Sequence, residues 1–205
     1  MMYARISLIT ADPLQLGGCL KQMEGEVRPV VEMQPGSLGT AMYADAELGL
    51  AFFESCWASD EALVASEHMP SLGQSDVFRQ AAGTVTDERY RLPVFEHEGK
   101  LTPAARLRLT RMDIEPSTVA DAVEAYGDTA VPWLADTDGF SSAQLMVNDR
   151  TGHAISETVW RDPAALAASR HVSAEVRAET TASAGWFIRA VEEYSLLFSS
   201  ARTPL

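Results

Sequence analysis

An internal repeat constrains the fold of this chain more than any other feature of its sequence. Residues 54–68 read ESCWASDEALVASEH, and residues 157–171 read ETVWRDPAALAASRH. Every shared residue lies 103 positions after its counterpart, as Glu157 does after Glu54. Matched residues at one fixed offset indicate that a supersecondary unit occurs twice. We therefore expect two similar domains within the 205 residues.

The charge balance argues against two classes of partner. The chain has 16 Lys and Arg residues against 29 Asp and Glu residues, a formal net charge of −13, and no basic run. Binding to phosphate backbones or to anionic lipids depends on clustered Lys and Arg. We therefore expect neither nucleic acid nor a membrane as a partner.

The cysteines and the N-terminal residues point to the cytoplasm. Cys19 and Cys56 lie in apolar stretches, and neither has a counterpart in the other copy. This usage predicts small buried thiols in a reducing compartment rather than a disulfide frame. No basic leader precedes an apolar core at the start, and no stretch approaches about 18 consecutive apolar residues. We expect neither a signal peptide nor a transmembrane span.

Four strands are predicted in each copy. Residues 3–10 alternate between apolar and polar side chains, as in a half-buried strand, and turns and the repeat place the others. In the first copy the predicted strands are residues 3–10, 37–43, 50–57 and 84–95. In the second copy they are residues 107–113, 140–147, 153–160 and 186–198. Gly49 and Gly152 predict a tight hairpin before the third strand of each copy.

Two helices are predicted in each copy. Acidic residues before a proline, Asp12-Pro13 and Glu115-Pro116, predict the start of the first helix. Pro29 and Pro132 predict a kink or a restart further along it. The second helix is predicted to start at Ser59 or Asp162, which are good N-cap residues. A short helical stretch is expected after it, ending near Gly83 and Gly185.

This element order, β-α-β-β-α-β in each copy, predicts an α+β protein made of two tandem ferredoxin-like repeats. The predicted bounds are residues 1–96 for the first repeat, 97–105 for a polar linker and 106–205 for the second repeat. Since the first and third strands are neighbours in this topology, two cross-strand pairs are predicted, Arg5 with Glu54 and Arg108 with Glu157. Each pair has a structural or a ligand-binding interpretation.

The pattern resembles the antibiotic biosynthesis monooxygenase superfamily, whose members are dimeric α/β barrels. The resemblance rests on the element order, on E-x-x-W closing the third strand and on A-L-x-x-S in the second helix. Residues 74–82, QSDVFRQAA, are similar to the helical segment that follows in that family. It covers nearly the whole chain, once per repeat. It therefore implies that both halves of a barrel come from one chain, as an intramolecular pseudo-dimer, while association of whole chains stays open.

The resemblance also implies a choice of activities. The family includes cofactor-free oxygenases of polyketide aromatics and quinols, and haem-degrading enzymes with an Asn on the first strand and a Trp on the second helix. Here the helix position holds Ser66 or Ser169, and the first strands have no Asn. The resemblance thus implies a cofactor-independent monooxygenase-like enzyme for a small apolar or aromatic molecule. The alternative is a non-catalytic protein that binds a small molecule or haem on the same fold.

Four residues are candidates for catalysis. His68 and His171 suit general bases near neutral pH, or caps that the dipole at a helix C-terminus stabilises. Arg5 or Arg108 would polarise a carbonyl or phenolate oxygen of the substrate.

Six residues are candidates for substrate contact. Trp57 and Trp160 would stack on a flat ring, or else fill the corner between strand and helix as core residues. Tyr43 and Trp186 lie on or beside strands and would line a cavity. The remaining two are Glu54 and Glu157, from the predicted ion pairs. No His-x-x-x-His, Cys-x-x-Cys or glycine-rich phosphate loop occurs, so we expect neither a metal site nor a cofactor.

Overall fold

Antiparallel strands and helices alternate along the chain, giving the α+β fold that the repeat predicts. The computed structural model describes residues 1–68, 83–98 and 101–200. The strands in these ranges are β1 (Met2–Thr10), β2 (Ser37–Asp45), β3 (Leu50–Trp57), β4 (Thr84–His97), β5 (Arg106–Asp113), β6 (Phe140–Val147), β7 (His153–Trp160) and β8 (Phe187–Ser199). All eight predicted strands are confirmed, with ends that differ by at most two residues.

The helices also follow the predicted order. The α-helices in the described ranges are α1 (Pro13–Gln22), α2 (Arg28–Glu32), α3 (Asp60–Ala65), α4 (Val119–Ala125), α5 (Val131–Ala135), α6 (Pro163–Ala168) and α7 (Arg170–Ala184). The stretch expected to be short after His171 is thus a helix of 15 residues. The helical segment predicted at residues 74–82 lies outside the described residues.

A π-helical turn precedes Pro29 and another precedes Pro132. Met23–Val27 lies between α1 and α2, and Tyr126–Ala130 lies between α4 and α5. Pro29 and Pro132 follow directly, in the first turns of α2 and α5. Because proline has no N–H to donate, the regular helical ladder is interrupted there. The π turn is the form that the predicted interruption takes.

Side-chain caps fix three of the helix starts. An Oδ1 atom of Asp12 accepts a hydrogen bond from the N–H of Leu14, at 2.9 Å. Ser59 and Asp162 each accept one from the N–H three residues later, at 3.2 Å and 2.8 Å. These caps confirm the predicted starts. Glu115 makes no side-chain cap, and a 3-10 turn precedes α4 instead.

Glycines with positive φ close the hairpins between the second and third strands. Gly49 has φ of 71° and Gly152 has φ of 75°, as predicted. A Cβ atom at Gly152 would overlap the carbonyl oxygen of Ile114. Both the backbone angle and the close approach therefore require glycine at this position.

The chain divides into two compact units. The first unit comprises Met1–Arg89 and the residues from Leu196 onward, and the second comprises Tyr90–Ser195. The boundaries between the units therefore fall within β4 and within β8, so each of these strands has residues in both units. The bounds predicted from the sequence are those of the repeated segments, whereas the bounds of the two units reflect which residues pack together.

In the first unit, β3 lies between β1 and β2 in antiparallel ladders. The backbone N–H of Ser200 donates to the carbonyl oxygen of Thr40 on β2, at 2.8 Å. One face of the sheet packs on the helices, and Trp57 and Leu63 are fully buried there.

In the second unit, the strand order is β8-β5-β7-β6-β4, and every ladder is antiparallel. Residues Trp160, Ala122 and Leu134 belong to the core between this sheet and its helices. The last turn of α7 ends at Gly185, which has a left-handed conformation.

The register corrects the predicted arginine–glutamate pairs. Arg108 lies opposite Thr158, and Leu109 lies opposite Glu157. Directly opposed residues share a face and successive residues alternate, so Arg108 and Glu157 project from opposite faces of the sheet. In the first unit Arg5 likewise lies opposite Ser55, and Ile6 lies opposite Glu54. The two strands are neighbours as predicted, but both ion pairs are wrong by one residue of register.

Two further findings concern membrane spans and thiols. None of the helices in the described ranges is long and apolar enough to cross a bilayer. Cys19 and Cys56 are buried thiols, as the apolar context of each predicts.

Candidate ligand-binding site

A cavity opens in the second unit between the sheet and the helices. It contains about 370 Å³ of space not filled by atoms, its open mouth included. Strands β5 and β7 form one wall, with Arg108, Thr110, Met112, Ser156 and Thr158. The cavity is a candidate site because its lining brings charged, polar and aromatic side chains together.

One face of α7 forms the opposite wall. Ser173, Val176, Arg177 and Thr180 line the cavity at spacings of three and four residues. Residues at this spacing share one face of a helix. This periodicity is the signal that could have identified the wall from the sequence. At the repeat offset the first copy has Gln74 in place of Arg177, and Gln74 lies outside the described residues.

Two stacked aromatic rings line one part of the cavity, its aromatic end. Trp186 and Tyr126 have ring centroids 6.0 Å apart and an angle of 29° between the rings. Leu134 and Ile188 add apolar surface beside them. Flat aromatic side chains provide a large apolar contact area at a small loss of conformational entropy. This end of the cavity therefore favours a flat, apolar group.

The phenol of Tyr126 is a hydrogen-bonding group rather than a base. Its hydroxyl lies 2.8 Å from Oγ of Ser156. Burial raises the pKa of Tyr126 above its ordinary value, and the charge of Glu157 acts in the same direction. The phenol therefore stays protonated at neutral pH.

Trp186, a predicted substrate-contact residue, carries a buried polar atom without a partner. The side chain is 5% exposed, and its Nε1 atom has no hydrogen-bond partner among the described residues. Leaving a buried donor unsatisfied costs about 1–3 kcal/mol. Most buried polar groups have a hydrogen-bond partner. A buried donor without one, in a residue that lines a cavity, is a candidate donor to a ligand.

Arg108, a predicted catalytic residue, lines the cavity but has all its donors engaged. Its Nη1 atom donates to the hydroxyls of Ser169 and Ser173, at 2.9 Å and 2.5 Å. Its Nη2 atom donates to the carbonyl oxygen of Leu166 at 2.8 Å and to Glu193 at 3.0 Å. The Nε atom also donates to Glu193, at 3.3 Å. A guanidinium has five N–H groups, so Arg108 brings positive charge to the cavity and no further donor.

Arg5 makes the equivalent contacts in the first unit. Its Nη2 atom donates to the carbonyl oxygen of Leu63 at 3.0 Å and to Oγ of Ser66 at 2.7 Å. Arg5 therefore links β1 to the end of α3, and Arg108 links β5 to the end of α6. This structural role accounts for the repeated Arg, Leu and Ser of the two copies. Burial lowers the pKa of Arg5 and of Arg108, and neighbouring carboxylates act in the opposite direction.

Arg177 is the site residue that the sequence reasoning missed. It is half-buried on the cavity wall, and its guanidinium makes no hydrogen bond or ion pair with any residue in the described ranges. Burial lowers its pKa, the charge of Arg108 lowers it further, and the charge of Glu193 raises it. An arginine remains protonated under such shifts at neutral pH. Arg177 is therefore a cation with donors available to a ligand.

The two histidines predicted as bases do not take part in this cavity as far as the structure describes them. The side chain of His171 is 83% exposed, and its Nε2 atom lies 3.4 Å from Glu175. His171 is the second residue of α7, so the predicted cap at a helix C-terminus is wrong for this residue. His68 closes the 3-10 turn Ser66–His68, and its side chain lies outside the described part of the chain.

Trp57 and Trp160 occupy core positions. Both are fully buried, and each donates its Nε1–H to the hydroxyl two residues earlier, at 3.0 Å and 3.1 Å. Trp160 also packs edge-to-face on Phe140, at 5.9 Å between centroids. These contacts match the core interpretation, and Trp160 is not part of the cavity lining. Tyr43 is buried in the first unit beside Phe52.

Glu54 and Glu157 are buried on the other face of the sheet. Glu157 accepts a hydrogen bond from Nε2 of Gln144 at 2.6 Å, and Glu54 accepts one from Sγ of Cys56 at 3.4 Å. Neither carboxylate lines the cavity of the second unit.

The lining combines positive charge and hydroxyl groups with apolar surface. No three His, Cys, Asp or Glu residues cluster as a metal site within the described ranges. Among the described residues, the lining includes no His, Cys, Lys or carboxylate side chain. Haem iron is most often held by His or Cys, so these residues do not fit a haem site.

Comparison with curated proteins finds relatives along the whole chain, although no family model matches it. The chain is 25% identical over 205 residues to the uncharacterized protein Rv2558 of Mycobacterium tuberculosis (strain ATCC 25618 / H37Rv). The match covers 100% of this chain and 87% of that protein.

Solved structures identify the fold. An anthrone oxidase-like protein matches with a TM-score of 0.71 and 13% identity, over 98% of this chain and 93% of that chain. A candidate monooxygenase of Fusobacterium nucleatum matches with a TM-score of 0.70 and 11% identity, over 100% and 96%. A ferredoxin-fold protein related to antibiotic biosynthesis monooxygenases, from Listeria monocytogenes, matches with a TM-score of 0.52 and 12% identity, over 93% of each chain. The chain has the fold of the antibiotic biosynthesis monooxygenase-related proteins. The resemblance stated from the sequence is thus confirmed for the fold.

Proposed function

We propose that this protein is a cofactor-independent, monooxygenase-like enzyme that takes a small, flat, largely apolar molecule into the cavity of the second unit. The cavity carries the proposal, because its aromatic end and its unengaged donors, Trp186 and Arg177, meet in one space. Solved structures of the same fold named as an anthrone oxidase-like protein and as a monooxygenase support the choice of reaction.

The proposed reaction oxidises an activated methylene next to aromatic rings, as in an anthrone. One oxygen atom of O₂ becomes the new carbonyl oxygen, and the other leaves as water with the two methylene hydrogens. The substrate supplies all four electrons, so no external reductant is needed. The chain would contribute binding, exclusion of water and a cationic environment that stabilises the deprotonated substrate.

A non-catalytic binding protein is the second candidate. The observation that favours it is the absence of a His, Lys or carboxylate side chain from the described lining, since these are the usual general bases. In this alternative the same cavity holds a small molecule without converting it.

Binding and turnover are measured separately to choose between the two. Titration with anthrone and with a panel of quinols should quench the fluorescence of Trp186. The Trp186→Phe variant should lose that quenching, and the Trp133→Phe variant should keep it, because Trp133 is 40% exposed and does not line the cavity. If no compound quenches the wild-type protein, the proposal fails.

Turnover is followed with an oxygen electrode and with ¹⁸O₂. Consumption of one O₂ per anthrone, with one labelled oxygen in the quinone, supports the enzyme. The rate should survive dialysis against a chelator. Quenching without oxygen uptake favours the binding protein, and a Soret band on adding haemin would point instead to haem binding.

We also propose that the two repeats act as a pseudo-dimer within one chain. The constant offset of 103 residues and the division of β4 and β8 between the units support this arrangement. Urea unfolding followed at Trp57 and at Trp160, in variants that lack the other tryptophans, should give one common midpoint. Two separate midpoints would indicate that the repeats fold independently.

A further inference from the structure

The cavity of the second unit has an excess of positive charge. Arg108 and Arg177 both line it, and the described lining contains no acidic side chain. The nearest carboxylate partner is Glu193, which Arg108 and Arg170 share through hydrogen bonds of 3.0 Å and 2.9 Å. One carboxylate therefore neutralises part of the charge of three guanidinium groups. A partly buried cation without a counter-ion is costly, and an anion in the cavity would stabilise it.

The donors left over define where such an anion would lie. Arg108 cannot supply one, because its five N–H groups already have partners. Arg177 offers its guanidinium, and Trp186 offers its Nε1–H from a side chain that is 5% exposed. Hydrogen bonds from a charged donor to an ionised oxygen are stronger than those to a neutral oxygen. Both groups therefore favour an oxygen that carries negative charge.

The rest of the lining favours an apolar body on the same ligand. The stacked rings of Trp186 and Tyr126 and the side chains of Leu134, Val176 and Ile188 offer no charged partner. A small inorganic anion would leave this surface uncovered. A flat aromatic molecule would bury it.

Building on the function proposed above, we propose that the cavity selects a small aromatic anion. Its ring lies against the aromatic end, and its anionic oxygen, a carboxylate or a phenolate, accepts hydrogen bonds from Arg177 and from Nε1 of Trp186. Arg177 sets the specificity for charge, and Trp186 orients the oxygen. In the sequence this specificity belongs to the second repeat, because the first repeat has Gln74 at the corresponding position.

Matched probes of one shape test the selection. Binding of 1-naphthoate, 1-naphthol and 1-naphthylmethanol to the full chain is measured at pH 7 by isothermal titration calorimetry. Wild-type protein should bind naphthoate at least about tenfold more tightly than naphthylmethanol, as expected for a charge-assisted hydrogen bond. Added salt should weaken the binding of naphthoate and leave that of naphthylmethanol nearly unchanged.

Variants assign the selection to named residues. Arg177→Gln, which introduces the residue of the first repeat, should weaken naphthoate binding about tenfold or more and change naphthylmethanol binding less than about twofold. Arg150→Gln removes the same charge from an exposed turn and should change neither. Trp186→Phe keeps the ring and removes the N–H, and should weaken both probes. Circular dichroism confirms that each variant is folded.

The naphthol arm separates the two kinds of anion. If the site accepts a phenolate, bound naphthol should show the absorption spectrum of naphtholate at a pH where free naphthol is protonated. If only the carboxylate binds tightly, the site is specific for carboxylates. Either result supports the inference.

Two different outcomes would overturn the proposed selection of aromatic anions. Tight binding of naphthylmethanol with no preference for naphthoate, or an unchanged affinity in Arg177→Gln, rejects the selection of anions but leaves an aromatic binding site. Absence of binding for all three probes rejects both this inference and the cavity as the functional site.

Discussion

Arg108 on β5 and Glu193 on β8 form an ion pair, with Nη2 of the arginine 3.0 Å from Oε1 of the glutamate. The arginine side chain is only 3% exposed, and the same guanidinium also holds the end of α6 and the start of α7. One residue of the repeat thus links the sheet to both helices behind it. Replacing Arg108 should therefore mainly lower the free energy of unfolding.

Replacing Arg108 with Met should therefore destabilise the protein strongly. It leaves Glu193 with fewer partners and Ser169, Ser173 and the carbonyl of Leu166 without this donor. Leaving buried polar groups without a partner costs about 1–3 kcal/mol for each group, and several groups lose this donor at once. Urea unfolding gives the free energy of unfolding. The matched variant Arg5→Met should cost less, about 1–3 kcal/mol, because Arg5 is more exposed and donates fewer hydrogen bonds. Equal losses would contradict a special role for the Arg108 network.

Replacing Trp186 with Phe should leave the free energy of unfolding unchanged or raise it. The substitution removes a buried donor that has no partner in the described structure, and it keeps an aromatic ring beside Tyr126. Trp160→Phe is the matched control. It removes a donor that is bonded to Thr158 and opens space in a fully buried position, so it should be destabilising by about 1–3 kcal/mol. If Trp186→Phe is the more destabilising of the two, the indole N–H is structural and not reserved for a ligand.

The stability of the protein should fall in acid partly through Glu193. Burial alone would raise its pKa, but hydrogen bonds from Arg170 and Arg108 outweigh burial and hold the pKa below the ordinary value of 4.5. A lowered pKa in the folded state contributes stability that is present above about pH 4.5 and is lost as the pH falls through the lowered value. The Glu193→Gln variant should therefore differ most from the wild type at neutral pH and approach it in acid.

Urea unfolding at a series of pH values between 7 and about 3 measures this difference. Glu124→Gln, at an exposed position of α4, serves as the control and should show a smaller change with pH. A difference for Glu193→Gln that stays constant or grows toward acid would contradict the role assigned to the ion pair.

Glycine at position 152 should be far less replaceable than glycine at position 185. Both have positive φ, 75° and 67°, so alanine at either costs about 1–2 kcal/mol from the backbone alone. At Gly152 the new Cβ would also overlap the carbonyl oxygen of Ile114, whereas at Gly185 no atom of the described residues lies within 4 Å of it, apart from its own helix and its chain neighbours. Differential scanning calorimetry should show a clearly lower Tm for Gly152→Ala than for Gly185→Ala. Similar values would mean that the hairpin relaxes without cost.

The sequence determined the elements and their order. Alternation of apolar residues in β1, caps such as Asp162, and paired glycines such as Gly152 are local signals, and each acts over a few residues. The offset of 103 then related most assignments in one copy to those in the other. Strand neighbours follow from the topology of the split βαβ unit, and they were predicted correctly for this reason.

Register and side-chain partners required the tertiary structure. A shift of one residue moves a side chain to the other face of a sheet, so Arg108 meets Ser169 and Ser173 rather than Glu157. The repeat marked Arg108 as important because it is structural, whereas Arg177 occurs in the second copy and gave no such signal.

What makes Arg177 and Trp186 a candidate site is the absence of partners among the described residues, together with a shared cavity. Such an absence depends on every element that packs nearby, and no local sequence pattern records it. Sequence periodicity therefore determined what this chain is built from. Only the packing of α7 and β8 against the sheet decided which charges are satisfied within the protein and which remain for a ligand.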